Sequence, residues 1–411
     1  MTYPETLEYL FQQLPMYQRV GKAAYKADLD NTWALMERLN SPHKKFKTIH
    51  VAGTNGKGSV SHMLASIFKE AGYKTGLYTS PHLVDFRERI RMNGKMIPEQ
   101  VVVDFVADYK EAFEELQLSF FEWTVGLAFQ SFAQESVDIA IVEVGMGGRL
   151  DSTNVITPQL SIITNIGWDH MQFLGDTLAK IAGEKAGIIK ENTPVVIGKS
   201  QPETVEVFLE RAKALRAPIV FADKQPMVPM LESDLRGKYQ AENFQTVIVA
   251  CSWLSGMGWS LTPAAVKAGL GSVKRNSGLR GRWEVLQRNP LVICDVGHNK
   301  EGVLHITEQL EKTPHEKLHL VLGFVNDKNV KEVLDLFPKK ATYYLCQASI
   351  PRALEVSELS AMAKDFGLEH QSYPNVSEAY QAAFNAAQSG DLVFVGGSTF
   401  VVGDFLKHPD Q

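Results

Sequence analysis

Residues 49 to 59 read Ile-His-Val-Ala-Gly-Thr-Asn-Gly-Lys-Gly-Ser, an apolar strand running into a glycine-punctuated loop with one lysine and a closing hydroxyl. An amphipathic pattern follows, with Val60, Met63, Leu64, Ile67 and Phe68 at helical spacing and Gly72 as a C-cap. Strand, loop and helix in that order form a cradle for a triphosphate. Glycines let backbone N–H groups turn inward around phosphate oxygens, and the helix N-terminus adds partial positive charge. Gly53, Thr54, Asn55, Gly56, Lys57, Gly58 and Ser59 are the candidate nucleotide contacts, with Lys57 reaching the outer phosphates and Ser59 placed to ligate magnesium. The spacing is a variant, because G-x-x-x-x-G-K-[ST] would need glycine at Val51 and a hydroxyl at Gly58.

The rest of the chain repeats the alternation. Lys74 to Tyr78 reads as a short strand, ended by Thr79-Ser80-Pro81-His82-Leu83. Helical patterns cover 99–117 and 120–134, and Asp138 to Gly145 reads as a strand buried on both faces, with Glu143 near its C-terminal end. A glycine-rich loop, Gly145 to Asn154, leads to a strand at Leu160 to Ile166 and then Gly167-Trp168-Asp169-His170. Strands near 194–198 and 218–221 alternate with helices at 177–190 and 203–216, a doubly wound pattern. Helices over 240–254 and from Pro263 precede a Gly/Arg-rich stretch, Asn276 to Arg282, where the domain boundary is expected. Beyond it, strands at 291–296, 317–322, 342–346, 368–372 and 391–395 make a second, smaller α/β domain. The expectation is thus a P-loop-containing, mostly parallel sheet domain over 1–280, followed by a smaller Rossmann-like α/β domain over 281–411.

At 411 residues two cores are the default. A formal charge of -5 offers no global attraction to nucleic acid or an anionic membrane, so an anionic ligand must be captured locally. Cys251, Cys294 and Cys346 are far apart, odd in number and without C-x-x-C spacing, which fits a reducing cytoplasm better than a disulfide framework or a zinc site. No segment approaches a membrane-spanning apolar run, and the N-terminus lacks the basic start and apolar core of a signal peptide.

Several residues could carry chemistry, each beside a plainer reading. Glu143 alone is a charged strand terminus; paired with Lys57 and Ser59 it becomes the hard oxygen that magnesium on a triphosphate requires. His170 in a loop is more often solvated than a metal ligand. Lys185, in a helix with apolar neighbours, reads as a solvent-facing lysine on composition alone. Cys294-Asp295-Val296-Gly297-His298-Asn299 can orient an amine or receive an anion, but can equally cap a helix. Val395-Gly396-Gly397-Ser398 is a second strand-end loop in the same domain.

Taken together, these motifs resemble the folylpolyglutamate synthase and dihydrofolate synthase family, a branch of the Mur-type ATP-dependent amide ligases. The resemblance rests on His50 to Ser59, Thr79 to Leu83, Glu143 to Asn154, Thr164 to His170 and Ile181 to Ile188. It implies that ATP phosphorylates a carboxylate of a reduced folate or dihydropteroate and that the amino group of L-glutamate attacks the acyl phosphate. It further implies two magnesium ions, the first on Ser59 and Glu143 with Ser80, the second on His170 and an N-carboxylated Lys185, together with a monovalent cation. Asn243 would contact adenine, Arg282 the phosphates, and Asp295 would lie near the nucleotide, while His298 and Ser398 would hold glutamate. Phe86 and Arg89 would line the pterin and benzoate site. A monomer is expected. The chain departs from the family at Asp295-Val-Gly-His-Asn-Lys300, where relatives usually read Asp-Gly-Ala-His-Asn-Pro, and at Arg280, which replaces a frequent proline.

Two other functions compete. A Mur-type ligase acting on a cell-wall precursor would be expected to carry a further domain ahead of the phosphate loop. A nucleotide-binding switch without ligase chemistry would need the loop and Glu143 but not His170, Lys185, Asp295 and His298.

Overall fold

Thr48 to Ala52 are all buried, so the strand that feeds the phosphate loop has no solvent face. Such a strand needs parallel neighbours and crossovers that cover both faces of the sheet. The computed structural model, which describes residues 1–14, 28–227, 232–326 and 329–407, supplies them. The strands of the first sheet are β1 (Lys47–Ala52), β2 (Thr75–Tyr78), β3 (Ile90–Met92), β4 (Lys95–Met96), β5 (Ile139–Glu143), β6 (Leu160–Ile163), β7 (Val195–Ile197) and β8 (Ile219–Phe221). Their order is β4-β3-β2-β5-β1-β6-β7-β8, so β1 lies inside, between β5 and β6. From β2 to β8 every pairing is parallel; β3 and β4 extend one edge as an antiparallel hairpin turning at Asn93-Gly94. Parallel pairing brings the C-terminal ends of β1, β2, β5 and β6 to one edge of the sheet, which places the phosphate loop, Ser80, Glu143 and the segment after β6 on the same rim.

The helix that follows the loop, Lys57–Glu70, is buried from Gly58 to Phe68. Its sequence carries apolar and small residues on every side because sheet covers one flank and the helices Gln240–Gly256, Pro263–Gly271 and Val273–Ser277 cover the other. Two of its polar residues pair with those helices: Ser66 Oγ donates to the Gly269 carbonyl at 2.7 Å, and His62 Nδ1 meets Ser277 Oγ at 2.8 Å.

The second sheet comprises β9 (Glu284–Arg288), β10 (Leu291–Cys294), β11 (Leu318–Leu322), β12 (Thr342–Leu345), β13 (His370–Ser372) and β14 (Leu392–Gly396), in the order β13-β12-β11-β14-β10-β9. It is parallel except at β9, an antiparallel edge strand that the sequence reading passed over by placing the first strand of this domain at Leu291. Its strands alternate between two cores. Ile293, Leu320, Leu322, Leu392 and Phe394 enter one layer, and Val292, Cys294, Val321, Val393 and Val395 the other.

Two compact units result. One contains Met1–Pro81, Arg87–Asp234 and Gln240–Leu279; the other contains Arg280–Gln411 together with the short segments His82–Phe86 and Leu235–Tyr239. Among the described residues no helix is long and apolar enough to cross a membrane.

Candidate active site

The phosphate loop is shaped by the segment that follows β6. Thr54 N–H donates to the Asn165 carbonyl and Asn55 N–H to Asn165 Oδ1, both at 2.9 Å, while Thr164 Oγ1 donates to the Asn55 carbonyl at 2.6 Å. Gly167 N–H closes the clamp on Thr54 Oγ1 at 2.9 Å. The approach is so close that a Cβ at Gly53, where φ is +145°, would fall 1.8 Å from Thr164 Oγ1. At Gly56, with φ +86°, it would fall 2.3 Å from Asn243 Oδ1. Both positions therefore require glycine. Gly56 is also the N-cap of the helix Lys57–Glu70, and no side chain caps that end. Its first N–H groups and dipole are thus offered to the rim, as an anion site needs.

Two lysines reach this loop from opposite directions. Lys57 Nζ donates to the carbonyls of Gly53 at 3.1 Å and Thr54 at 3.2 Å. Lys185 Nζ donates to the same Gly53 carbonyl at 2.8 Å. Contrary to the solvent-facing reading, Lys185 is only 4% exposed. It is the last residue of the helix Leu178–Lys185, shorter than the 177–190 expected, because a tight turn at Ala186–Ile188 ends it. The glycine-rich loop after β5 docks there, with Arg149 N–H on the Glu184 carbonyl at 2.8 Å and the Arg149 guanidinium paired with the Glu184 carboxylate. Burial, reinforced by the charge of Lys57 and opposed by Asp169 and Asp151, lowers the Lys185 amine to about 7.

Oxygen donors stand on the neighbouring strand ends. Glu143, at the end of β5, is buried and accepts from Ser80 N–H at 3.1 Å; Ser80 lies on the loop after β2, ahead of a cis bond to Pro81. Ser59, 2% exposed, accepts at Oγ from Gln240 Nε2 at 3.2 Å, and Gln240 Oε1 accepts from Asn243 Nδ2 at 2.7 Å. Sequence reasoning missed Gln240, although its i,i+3 spacing from Asn243 at a predicted helix start was visible. His170 adopts φ +48° beside Asp169, whose Oδ2 lies 3.8 Å from His170 Nε2. Within β1, His50 Nε2 meets Thr153 Oγ1 at 2.8 Å, and Thr153 Oγ1 donates in turn to Asp151 Oδ1, while Asp151 Oδ2 accepts from Met146 N–H. Burial pushes the His50 imidazole down to about 3, so it is neutral, and raises the Asp151 carboxyl against those hydrogen bonds.

In the second unit Asp295 follows β10 and is buried. Its carboxylate accepts from Tyr239 OH at 2.6 Å, Trp283 N–H at 2.7 Å and Gly297 N–H at 2.8 Å. Burial raises its pKa, opposed by these donors and by Arg282. His298 Nδ1 donates to the Val296 carbonyl at 2.9 Å, which orients the ring. Ser398 Oγ caps the C-terminal helix by accepting from Val401 N–H at 3.1 Å. Phe86 and Arg89, grouped in the sequence, fall in different units. Arg89 is buried against the Phe120 ring, with its guanidinium 5.2 Å from the ring centroid, and burial lowers its pKa.

Residues 51–248 match the Mur ligase middle domain and residues 281–399 the Mur ligase glutamate ligase domain. The dihydrofolate synthase/folylpolyglutamate synthase of Bacillus subtilis (strain 168) is 32% identical over 417 aligned positions, covering 94% of this chain and 96% of the relative. This chain belongs to the folylpolyglutamate synthase/dihydrofolate synthase family. Solved members agree: a structure described as E. coli FolC in complex with DHPP and ADP superposes with a TM-score of 0.87 at 27% identity, covering 100% of this chain and 98% of that one. A bifunctional folylpolyglutamate synthase/dihydrofolate synthase with Mn, AMPPNP and L-glutamate bound gives 0.86 at 26% identity, over 100% and 98% of the two chains. Both expected sheets and the ligase family are thereby established. Among the described residues no three His, Cys, Asp or Glu side chains gather as a metal cluster. The family's divalent ion fits nonetheless, because the Ser59 hydroxyl in the first turn after the phosphate loop and the buried Glu143 carboxylate at a strand end on the same rim are hard oxygen donors of the kind such an ion takes.

Proposed function

We propose that the protein is a cytoplasmic, monomeric ligase that uses ATP to join L-glutamate to reduced folates and to dihydropteroate, releasing ADP and phosphate. The observation that carries this reading is the meeting of Lys57 and Lys185 on the Gly53 carbonyl. Residues 1–280 serve as the ATP-binding part and 281–411 as the glutamate-ligase part, with His82–Phe86 and Leu235–Tyr239 counted with the latter in the fold. The three cysteines are free and buried, which fits a reducing compartment.

A carboxylate is a poor acyl donor until its oxygen becomes a leaving group. Its oxygen attacks the γ-phosphorus, the Pγ–O bond to ADP breaks, and an acyl phosphate forms. The glutamate amine then attacks the carbonyl carbon; the C–N bond forms, phosphate leaves and the amine loses a proton. Lys57 and the capless helix N-terminus hold the phosphate charge, with Arg282 as a further cation and Asn243 on the base. Bound magnesium neutralises phosphate oxygens. Ser59 and Glu143, with Ser80, would hold one ion, and His170 with Lys185 a second, beside a monovalent cation. A protonated Lys185 could not ligate; with its pKa at about 7, about half is neutral at neutral pH and can add to carbon dioxide, losing a proton to give a carbamate oxygen ligand. His298 and Ser398 would orient the glutamate, Asp295 would serve the nucleotide, and Phe86 and Arg89 would each contribute to pterin and benzoate binding.

Lys185→Ala is expected to abolish amide formation while ADP still binds. A panel of dihydropteroate and tetrahydrofolate, read by product mass, tests the substrate assignment. Near-normal turnover in Lys185→Ala would remove the role of this lysine, and ATP hydrolysis independent of both glutamate and acceptor would favour a switch. Bicarbonate should restore activity to carbon-dioxide-depleted protein, most readily above pH 7.

A further inference from the structure

Gln240 is fully buried at the first residue of the helix Gln240–Gly256. A primary amide removed from water is costly unless both of its ends are bonded. Here the two ends go to two residues of the nucleotide site: Nε2 donates to Ser59 Oγ at 3.2 Å, and Oε1 accepts from Asn243 Nδ2 at 2.7 Å. We propose that Gln240 is a positioning residue that sets the Ser59 hydroxyl and the Asn243 amide through one side chain. The inference rests on the reading above, in which Ser59 ligates magnesium and Asn243 meets the base.

The chemistry follows from what each group can exchange. A serine hydroxyl has one proton and two lone pairs. With one lone pair taken by Gln240, the second and the proton are confined to the remaining tetrahedral directions, so a cation meets a fixed lone pair instead of a free rotor. Asn243 has two donors and one acceptor oxygen. Committing Nδ2 to Gln240 orients Oδ1 toward Gly56, the position where a Cβ would come within 2.3 Å of it. The loop turn, the metal-ligating hydroxyl and the base-facing amide are thereby tied together. Only glutamine serves both ends at this length: glutamate has no proton for Ser59, and asparagine is too short to span both partners.

The test measures binding of ADP and GDP, each with and without magnesium, by calorimetry on the full chain. Gln240→Met keeps length and near-constant volume but cannot pair at either end. It is expected to cut the magnesium-dependent gain in ADP affinity by about tenfold, as loss of a ligand's supporting partner commonly does. It should also narrow the preference for ADP over GDP. Ser59→Ala should abolish the magnesium-dependent gain, and adding Gln240→Met to it should change that gain no further. Should Gln240→Met fail to fold by its melting transition, Gln240→Asn is read in the same way. A gain and a base preference both within about twofold of the starting protein would overturn the proposal, as would an equal loss in the Ser59→Ala background. Because the readout is nucleotide and metal binding, a protein that binds magnesium–ADP in this manner yet forms no folate conjugate would overturn the ligase reading and leave this inference standing.

Discussion

The phosphate loop after β1 and the Asp295–Asn299 loop after β10 occupy equivalent places, each just beyond a parallel strand. They are held in different ways. The first is assembled from afar: Thr164, Asn165, Gly167, Lys185 and Asn243 all approach residues 53 to 56, and so closely that side chains are excluded at two of them. The second combines bonds within its own turn, Gly297 N–H on Asp295 and His298 on the Val296 carbonyl, with bonds from further along the chain: Tyr239 OH and Trp283 N–H on Asp295, Asp295 N–H on the Val395 carbonyl and Val296 N–H on the Gly281 carbonyl. A site clamped by many segments cannot drift in sequence without moving all of them. The turn over 295–298 is less confined, since two of its bonds each close over only two residues. The departures from the family expected at Val296, Gly297 and Lys300 fall in that turn and at the helix start beyond it, whereas the one at Arg280 lies outside it. Val296 has a local accommodation, since its Cγ1 lies where a Cβ at Gly281 would come within 2.8 Å.

The contrast makes graded predictions. Gly53→Ala should be the most damaging, because it strains φ and strikes Thr164; at about 3 kcal/mol or more, ADP affinity falls roughly a hundredfold or beyond detection by calorimetry. Affinity retained within a few fold would show that the clamp yields. His298→Ala should raise the KM for glutamate by about tenfold to a hundredfold, the range for losing a hydrogen bond to a charged group, and leave ADP affinity unchanged. An equal loss of ADP affinity would erase the division of labour.

Acid should then separate the two regions. His50 is held at about 3 in the fold against 6.5 for an ordinary histidine, so the unfolded chain binds the extra proton between those values. Its contribution to stability is whole above pH 6.5 and is lost as pH falls, by about 1.4 kcal/mol per pH unit. Hydrogen exchange between pH 6.5 and 4 should show β1 opening before β10; the reverse order would contradict the assignment. The smallest effect is expected of Lys300→Pro. Lys300 is the first residue of the helix Lys300–Lys312, where a cation opposes the dipole and a proline fits. Asn299 before it is already extended, so the variant should gain up to about 1 kcal/mol in thermal unfolding, with activity within about twofold.

Much of this was legible because parallel strands buried on both faces are written as short apolar runs, and every such run after the loop becomes a strand of the expected sheet. The antiparallel strands were not, since β3 and β4 are short and all three of β3, β4 and β9 carry charges, although Asn93-Gly94 was a readable hairpin signal. Thr2 with Glu5 and Ser119 with Glu122 form capping boxes that mark two helix starts, one of them unread. In the site, Lys57, Ser59 and Glu143 follow from local pattern. Lys185 does not, because nothing in its neighbouring residues says that the loop carrying Arg149 will bury it; only the family resemblance pointed there. Gln240 escaped because its partners lie 181 and 3 residues away, and only the nearer could have been suspected.

The membership of His82–Phe86 and Leu235–Tyr239 in the second unit bears on how such a chain can be recombined. A graft of Arg280–Gln411 from a relative would leave behind Tyr239, which holds Asp295, and Leu83, whose carbonyl a Cβ at Gly403 would approach to 2.5 Å. Inheritance of amino-acid preference by exchange at a single crossover near residue 280 is therefore obstructed. The second unit can change only by point substitution or by an exchange that carries all three pieces together.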